Sequence, residues 1–377
     1  MAYYPDWLGT SFSPSQIDFM LFDWIDFAFA VPNENFELTW DEASAPQLLK
    51  ELVTAAHGAG RKVKLSIGGW TGSKHFSSAV ASNTNRKKFV KSVLTTYRSF
   101  ELDGIDLDWE YPGKRGDSGN HFRASDSANF LLFLKLLRQT LPTTARISAA
   151  VETIPFVDNQ GNAMVDVSEF AAVLDWVVIM NYDAWGSLSD PGPNAPLHDA
   201  CNNSTQPSMN AVAAYNAWTA AQFPASKLVL GLPSYGYINP STATHLRART
   251  ESPERSRKDD LNDDFVTVVS ADGGSDHQVQ FRELVEQGAL VRSTNSSDSI
   301  PRFVGNGGFE RIWDSCSDTP YLRSIFSKQV ITYDDTESLA MKVAFANEVG
   351  MLGINLFDIH GDSEQWDLTI SVRRAIK

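Results

Sequence analysis

Between Leu102 and Tyr111 the chain reads LDGIDLDWEY, which sets Asp103, Asp106, Asp108 and Glu110 among residues that otherwise suit a buried strand. Extended backbone puts alternate side chains on one face. Asp106, Asp108 and Glu110 therefore point one way, and Ile105, Leu107 and Trp109 the other. Three carboxyls close together cannot all ionise, because burial and mutual repulsion push some pKa values up. On this reading Asp106 and Asp108 share a proton. Glu110, at the strand's C-terminal end, is held protonated by the negative charge beneath it. A protonated carboxyl at the rim of a site is a general acid, and that suits cleavage of a glycosidic bond. The structural alternatives are a divalent-cation site or pairing with buried Arg, and no His lies nearby in sequence to complete a metal set. Asp103 has the opposite parity and reads as structural.

The acids need a frame. Apolar, β-branched or aromatic runs recur at AYYP, WIDFAFAV (24–31), KVKLSIGG (62–69), GIDLDW (104–109), RISAAV (146–151), WVVIMNY (176–182), KLVLGLPSYG (227–236) and MLGINLFDI (351–359). Helical periodicity lies between many of them. Residues 44–60 put Leu48, Leu49, Leu52, Val53 and Ala56 on one face, with Gly58 and Gly60 as stop signals. Residues 85–97 do the same with Phe89, Val90, Val93, Leu94 and Tyr97, and residues 127–141 and 337–350 are further helical stretches. Strand and helix alternating eight times predicts an α/β fold, a (β/α)₈ TIM barrel. A doubly wound sheet is the runner-up, but no Gly-rich phosphate loop follows the first strand. From 238 to 333 the periodicity weakens into charge-rich RARTESPERSRKDD and short β-like pieces such as FVTVVS and ALVRS. This reads as a small α+β insertion on the seventh βα loop, with barrel from 1–237 and 334–377.

The composition narrows the partners. The 377 residues, 42% of them hydrophobic, can bury a large core. A net charge of −14 disfavours nucleic acid and favours a neutral or cationic substrate. No apolar run reaches the roughly 18 residues that span a bilayer. The start, MAYYPDW, goes directly into a strand-like run and reads as a mature form. Ten Trp and 22 Phe could stack on sugar rings or simply fill the core. Sequons at Asn202, Asn203 and Asn295, with two cysteines that could form one bridge or remain two free thiols, favour a secreted glycoprotein.

With these residues in view the chain resembles glycoside hydrolase family 18, the chitinases and their relatives. DGIDLDWE matches that family's DxxDxDxE signature at all four acidic positions. SIGGW (66–70) resembles its third strand, MNYD (180–183) its sixth, and LGLPSYGY (230–237) its seventh. The run from Tyr333 to Asp358 resembles the approach to its eighth, and 238–333 resembles the family's insertion domain.

The resemblance implies a retaining mechanism in which the substrate's own N-acetyl group is the nucleophile. Glu110 would protonate the leaving oxygen and later activate water. Asp108 would turn to the acetamido N–H, Asp106 would take up the shared proton or charge, and Tyr3 and Ser66 would steady Asp106. Tyr182 would hold the acetamido oxygen, and Asp183 would contact the sugar. Phe27, Gly69, Trp70, Tyr111, Met180, Trp185 and Tyr235 would line the cleft, with Tyr237 beside them. Trp70 and Trp185 are the better stacking candidates, and Trp109 reads as core. Phe357 stands where the family usually has a Trp floor. Asp358, His360 and Asp362 read as a solvated rim rather than a metal site, and no cofactor is expected. The implied partners are chitin and chitooligosaccharides, with neither nucleic acid nor membrane, and the protein is expected to be a secreted monomer. The sequence around Cys201 and Cys316 resembles fungal members, and a Cys201–Cys316 bridge is expected. The alternatives are a chitin-binding, lectin-like member with little turnover, and an endo-β-N-acetylglucosaminidase acting on N-glycans.

Overall fold

A computed structural model describes residues 1–9, 11–246, 265–270, 277–293 and 300–376. The RARTESPERSRKDD run and the Asn295 sequon lie outside the described residues. Eight strands occupy the expected runs: β1 (Ala2–Pro5), β2 (Trp24–Pro32), β3 (Lys62–Gly68), β4 (Gly104–Asp108), β5 (Arg146–Val151), β6 (Trp176–Met180), β7 (Leu228–Pro233) and β8 (Gly353–Phe357). They are hydrogen-bonded in the order β1-β8-β7-β6-β5-β4-β3-β2, and a β1–β2 pairing closes them into a parallel barrel. The register sets Tyr3 opposite Asp26, Asp26 opposite Lys64, Ser66 opposite Asp106, and Asp106 opposite Ser148.

Helix α1 (Ala45–Gly58) buries Leu48, Leu49, Leu52, Val53 and Ala56, as its periodicity predicts, and Gly60 ends the segment with φ +70°. Helix α2 (Asn83–Ser99) begins where the Ser82 side chain accepts a hydrogen bond from the Asn85 amide, and it buries Phe89, Val90 and Val93. Helices α3 (Asp126–Thr140), α4 (Ala211–Ala220), α5 (Thr336–Glu348) and α6 (Asp367–Ala375) follow.

The expected alternation fails in two places. Between β1 and β2 the described residues form only the 3₁₀ turns Asp6–Leu8, Pro14–Gln16 and Phe19–Leu21. Pro14 at a turn start, and the Asp18 carboxylate accepting from the Met20 amide, keep the backbone in turns. Between β5 and β6 the only described helix is the four-residue Ser168–Ala171, because Asp158 instead organises a turn by accepting from the Gln160 and Asn162 amides.

By packing, the chain divides into two compact units. The first comprises 1–180, 214–230 and 349–355. An aromatic cluster there backs the outward face of β4. Trp109 stacks on Phe76 at 5.2 Å and 9° and meets Phe130 edge-on at 5.4 Å. Phe76 touches Phe89, which stacks on Phe133 at 4.9 Å, and Phe130 leads through Phe156 to Trp218.

The second unit comprises 181–213, 231–348 and 356–377. Its described residues include a five-stranded antiparallel sheet ordered Gln278–Gln280, Tyr235–Pro240, Gln329–Thr332, Thr319–Ser324, Glu310–Asp314. Helix Phe281–Glu286 and the strand pair Leu290–Arg292 with Phe303–Gly305 accompany it. The FVTVVS piece (265–270) is not a strand. The Gln329 side-chain amide accepts from the Val268 N–H at 3.0 Å and donates to its C=O at 2.8 Å, so it takes a partner strand's place. Cys201 and Cys316 form a disulfide, next to backbone bonds from Leu197 to Ser317 and from Ala200 to Cys316. Among the described residues no helix is long and apolar enough to cross a membrane.

Candidate active site

The acidic strand is positioned from both sides. On its apolar side Trp109 is held by Phe76 and Phe130. On its polar side Asp106 is fully buried and accepts hydrogen bonds from Tyr3 Oη (3.0 Å) and Ser66 Oγ (2.8 Å) at Oδ2, and from Ser148 Oγ at Oδ1. Asp108 is buried, and its Oδ1 has no hydrogen-bond partner among the described residues. Burial, then the charges of Glu110 and Asp106, push its carboxyl well above the usual range.

Glu110 sits just beyond the strand, half-buried. Its amide donates to Ser73 Oγ (2.9 Å), and Ser73 Oγ donates to the Gly69 carbonyl (2.9 Å). Asn120 Nδ2 donates to the carbonyls of Trp70 (2.7 Å) and Glu110 (3.2 Å). The Tyr111 phenol is hydrogen-bonded to the Glu110 carboxyl. Burial, then the carboxylates of Glu110 and Glu152, push that phenol above its usual range. The SIGGW glycines have a steric reason. A Cβ at Gly68 would lie 2.1 Å from the Asp108 carbonyl oxygen, and one at Gly69 would lie 2.9 Å from the Phe29 ring. Peptide bonds Glu110–Tyr111, Ala28–Phe29 and Phe357–Asp358 are cis.

Asp103 is structural in its contacts. It accepts from Lys62 Nζ (2.7 Å) and the Val63 amide (2.9 Å), and it pairs with His57 Nε2 (2.8 Å). Partial burial alone would raise its pKa, but these partners outweigh it and hold the carboxyl below the usual range.

In the second unit Tyr182 and Asp183 belong to a separate aromatic cluster. Tyr182 stacks on Phe357 at 5.9 Å and 29°, and Tyr235 meets both rings edge-on at 6.1 and 6.2 Å. The hydroxyls of Tyr235 and Tyr237 both donate to Asp183 Oδ1, at 2.6 and 2.7 Å. Asp183 has left-handed backbone, φ +56°, and Asn194 fixes it by accepting from its amide at 2.9 Å while donating to the Tyr235 carbonyl. Burial, then the Asp183 charge, push the Tyr235 phenol well above its usual value, so it serves as a donor.

The remaining cleft candidates fall out unevenly. Trp70 is 51% exposed and meets Tyr111 edge-on at 6.5 Å, which leaves a ring face for a ligand. Met180 is half-buried at the end of β6. Trp185 is only 4% exposed and lies under Gly192, whose Cβ would come within 2.6 Å of its ring, so it is not an open stacking platform. Phe27 is fully buried between Tyr4 and Trp40 and packs as core. Asp358 and Asp362 act as caps. Asp358 accepts from the His360 and Gly361 amides, and Asp362 accepts from those of Ser363, Leu368 and Thr369. Sequence reasoning missed Ser73, Asn120 and Ser148, which carry no motif of their own. It also missed Trp7, half exposed and stacked on Phe29 at 6.1 Å, although its place just after β1 was a signal.

Comparison with known proteins gives this arrangement a family. The model of glycosyl hydrolases family 18 matches residues 1–362. A chitinase-like effector of Moniliophthora roreri is 37% identical over 374 residues, which is 96% of this chain and 89% of that protein. Chitinase A1 of Niallia circulans is 29% identical over 335 residues, covering 86% of this chain and 44% of that one. The crystal structure of a chitinase from Rhizomucor miehei aligns with a TM-score of 0.81 at 30% identity, over 99% of this chain and 98% of that one. The match over nearly the whole chain, with a closed barrel and a buried acidic strand followed by Glu110, shows that the protein belongs to glycosyl hydrolase family 18.

Proposed function

We propose that this protein is a chitinase that hydrolyses β-1,4 bonds between N-acetylglucosamine units, with Glu110 as general acid and base. The observation that carries the reading is the acidic strand: Asp106 accepts hydrogen bonds from Tyr3 and Ser66, burial pushes the Asp108 carboxyl well up, and Glu110 follows just beyond the strand's end. Glu110 donates its proton to the glycosidic oxygen as the bond to the anomeric carbon breaks. The acetamido oxygen of the same sugar attacks that carbon, giving an oxazolinium ion. Asp108 hydrogen-bonds the acetamido N–H. Glu110, now ionised, takes a proton from water, which opens the ring with retention. In the same reading Tyr182 and Asp183 contact the sugar, and Trp70 offers a stacking surface. A secreted location belongs to this reading, and the Cys201–Cys316 disulfide supports it.

A second reading, chitin binding without turnover, is favoured by two observations. A relative 37% identical is named a chitinase-like effector, and Phe357, a smaller ring than Trp, stands where the resemblance implies a Trp floor. A mass-spectrometric time course on chitin hexasaccharide, run on wild type and Glu110→Gln, separates the two. Shorter products from wild type, with a loss of about 10²–10⁴-fold in the variant, are expected for the enzyme. If neither protein yields product while both are stabilised thermally by the sugar, the binding reading replaces it.

A further inference from the structure

Beneath the acidic strand lies a buried charged layer that the proposed chemistry leaves unassigned. Lys64 on β3 and Asp26 on β2 are both fully buried, with Nζ and Oδ1 3.1 Å apart. The same Nζ lies 3.8 Å from Asp106 Oδ1 and donates to Ser148 Oγ, which in turn donates to that Asp106 oxygen. Asn355 on β8 donates to Asp26 Oδ2 at 2.9 Å, and the Trp176 ring on β6 faces the ammonium at 4.6 Å. Inward positions of two barrel strands could have been filled by Leu or Ile without any desolvation cost. A lysine at this depth has to be matched by negative charge, and Asp26 and Asp106 supply it.

We propose that Lys64 and Asp26 are positioning residues for the hydrolysis, a buried counter-charge that keeps Asp106 ionised so that the mobile proton of the acidic strand rests on Asp108. The inference deepens the chitinase reading and rests on it for its catalytic consequence. One ammonium cannot neutralise two carboxylates, and the surroundings separate their roles. Asp106 has neutral donors on both oxygens, from Tyr3, Ser66 and Ser148. Asp108 has a buried oxygen with no hydrogen-bond partner among the described residues, which suits a neutral carboxyl better than an anion. Asp26 competes for the same ammonium, and its Oδ1 is the nearer, 3.1 Å from Nζ against 3.8 Å for Asp106 Oδ1. The proton is thereby kept two residues from Glu110, and the charge it leaves behind is fixed below.

The two partners make opposite predictions. Without the Lys64 charge, Asp106 loses its counter-ion and takes up a proton at higher pH. Without the Asp26 charge, Lys64 acts on Asp106 alone and the midpoint falls. The test is a ¹³C-carboxyl NMR titration of the whole protein labelled at aspartate, with Asp106→Asn and Asp108→Asn for assignment. In Lys64→Met the Asp106 midpoint should rise by about one pH unit or more, and in Asp26→Asn it should fall. The acidic limb of kcat/KM on chitin hexasaccharide should move in the same two directions. Midpoints that stay put, or that move together, overturn the inference and leave the pair a packing feature. Should Lys64→Met not fold, Lys64→Met with Asp26→Leu replaces the pair by apolar side chains of similar size. The Asp106 midpoint must still rise there, and an unchanged midpoint overturns the proposal. If wild type cleaves no hexasaccharide, the chitinase reading falls, and the titration alone still decides the charge of Asp106.

Discussion

At Gly68 the backbone has φ +117°, and a Cβ would stand 2.7 Å from the Phe76 ring as well as 2.1 Å from the Asp108 carbonyl oxygen. The second atom belongs to the strand that carries the acids, so β3 and β4 cannot accept a methyl group without displacing Asp108. Gly68→Ala should cost about 1–3 kcal/mol in backbone strain alone. Oligosaccharide turnover should fall further than the shift in thermal midpoint explains, because the carboxyls move. Unfolding curves and turnover measured on the same preparation check this, and a stable variant with full turnover would contradict it. This level of the site was partly legible in the sequence. The parity of Asp106, Asp108 and Glu110 follows from strand geometry, and Tyr3 and Ser66 fall where the motif places them. Lys64 and Asp26 were overlooked because a polar residue inside an apolar run reads as ordinary alternation, and only the barrel register sets them side by side. The burial of Trp185 and Phe27 was not legible because exposure is decided by distant residues, Gly192 for one and Tyr4 with Trp40 for the other.

The aromatic layer behind β4 shows how elements rather than residues aim the acids. Phe76 opens the short helix Phe76–Val80, and its ring lies almost parallel to Trp109, the residue between Asp108 and Glu110. Phe89 of α2 and Phe130 of α3 wedge the pair in place. Both Phe76 and Trp109 are essentially inaccessible to solvent. Phe76→Ala should therefore leave a cavity and cost about 3–5 kcal/mol. The loss should appear in denaturant midpoint, and Phe76→Leu should recover much of it; an unaltered midpoint in the alanine variant would mean that the layer carries little load. The strands and four of the main helices were legible because their periodicities are long and clean. The connections from β1 to β2 and from β5 to β6 were not, since Pro14, Asp18 and Asp158 spend their bonding capacity on local turns. The 265–270 piece looked like a strand but has a glutamine side chain, Gln329, where a neighbouring backbone would be.

For the molecule as a whole, the buried acids set the pH at which the fold is most stable. Asp6 is pushed up to about 7 by burial and then by Asp41 and Glu42. Asp362 reaches about 6 through burial, against backbone donors from Thr369, Leu368 and Ser363, and Asp26 likewise lies near 6. In an unfolded chain each would titrate near 3.9. Between about pH 4 and pH 7 the folded protein thus holds protons that the unfolded chain has released, and stability falls as pH rises through that window. The net charge of −14 acts in the same direction, since protonation relieves repulsion. Asp103 and Asp175 oppose this at the acid end: their carboxyls are held low, against partial burial, by partners including Lys62 and Arg138, and that contribution is lost as pH drops below about 4. The midpoint of thermal unfolding should accordingly be higher at pH 5 than at pH 7.5. Asp6→Asn should raise the midpoint at pH 7.5 and narrow the gap, because a neutral side chain removes the buried charge that Asp6 acquires above pH 7. A wild-type midpoint that is flat or rises from pH 5 to pH 7.5 would show that water or rearrangement solvates these carboxyls in the folded state. A gap that Asp6→Asn leaves untouched would shift the origin of the effect to Asp26, Asp362 and the surface charge.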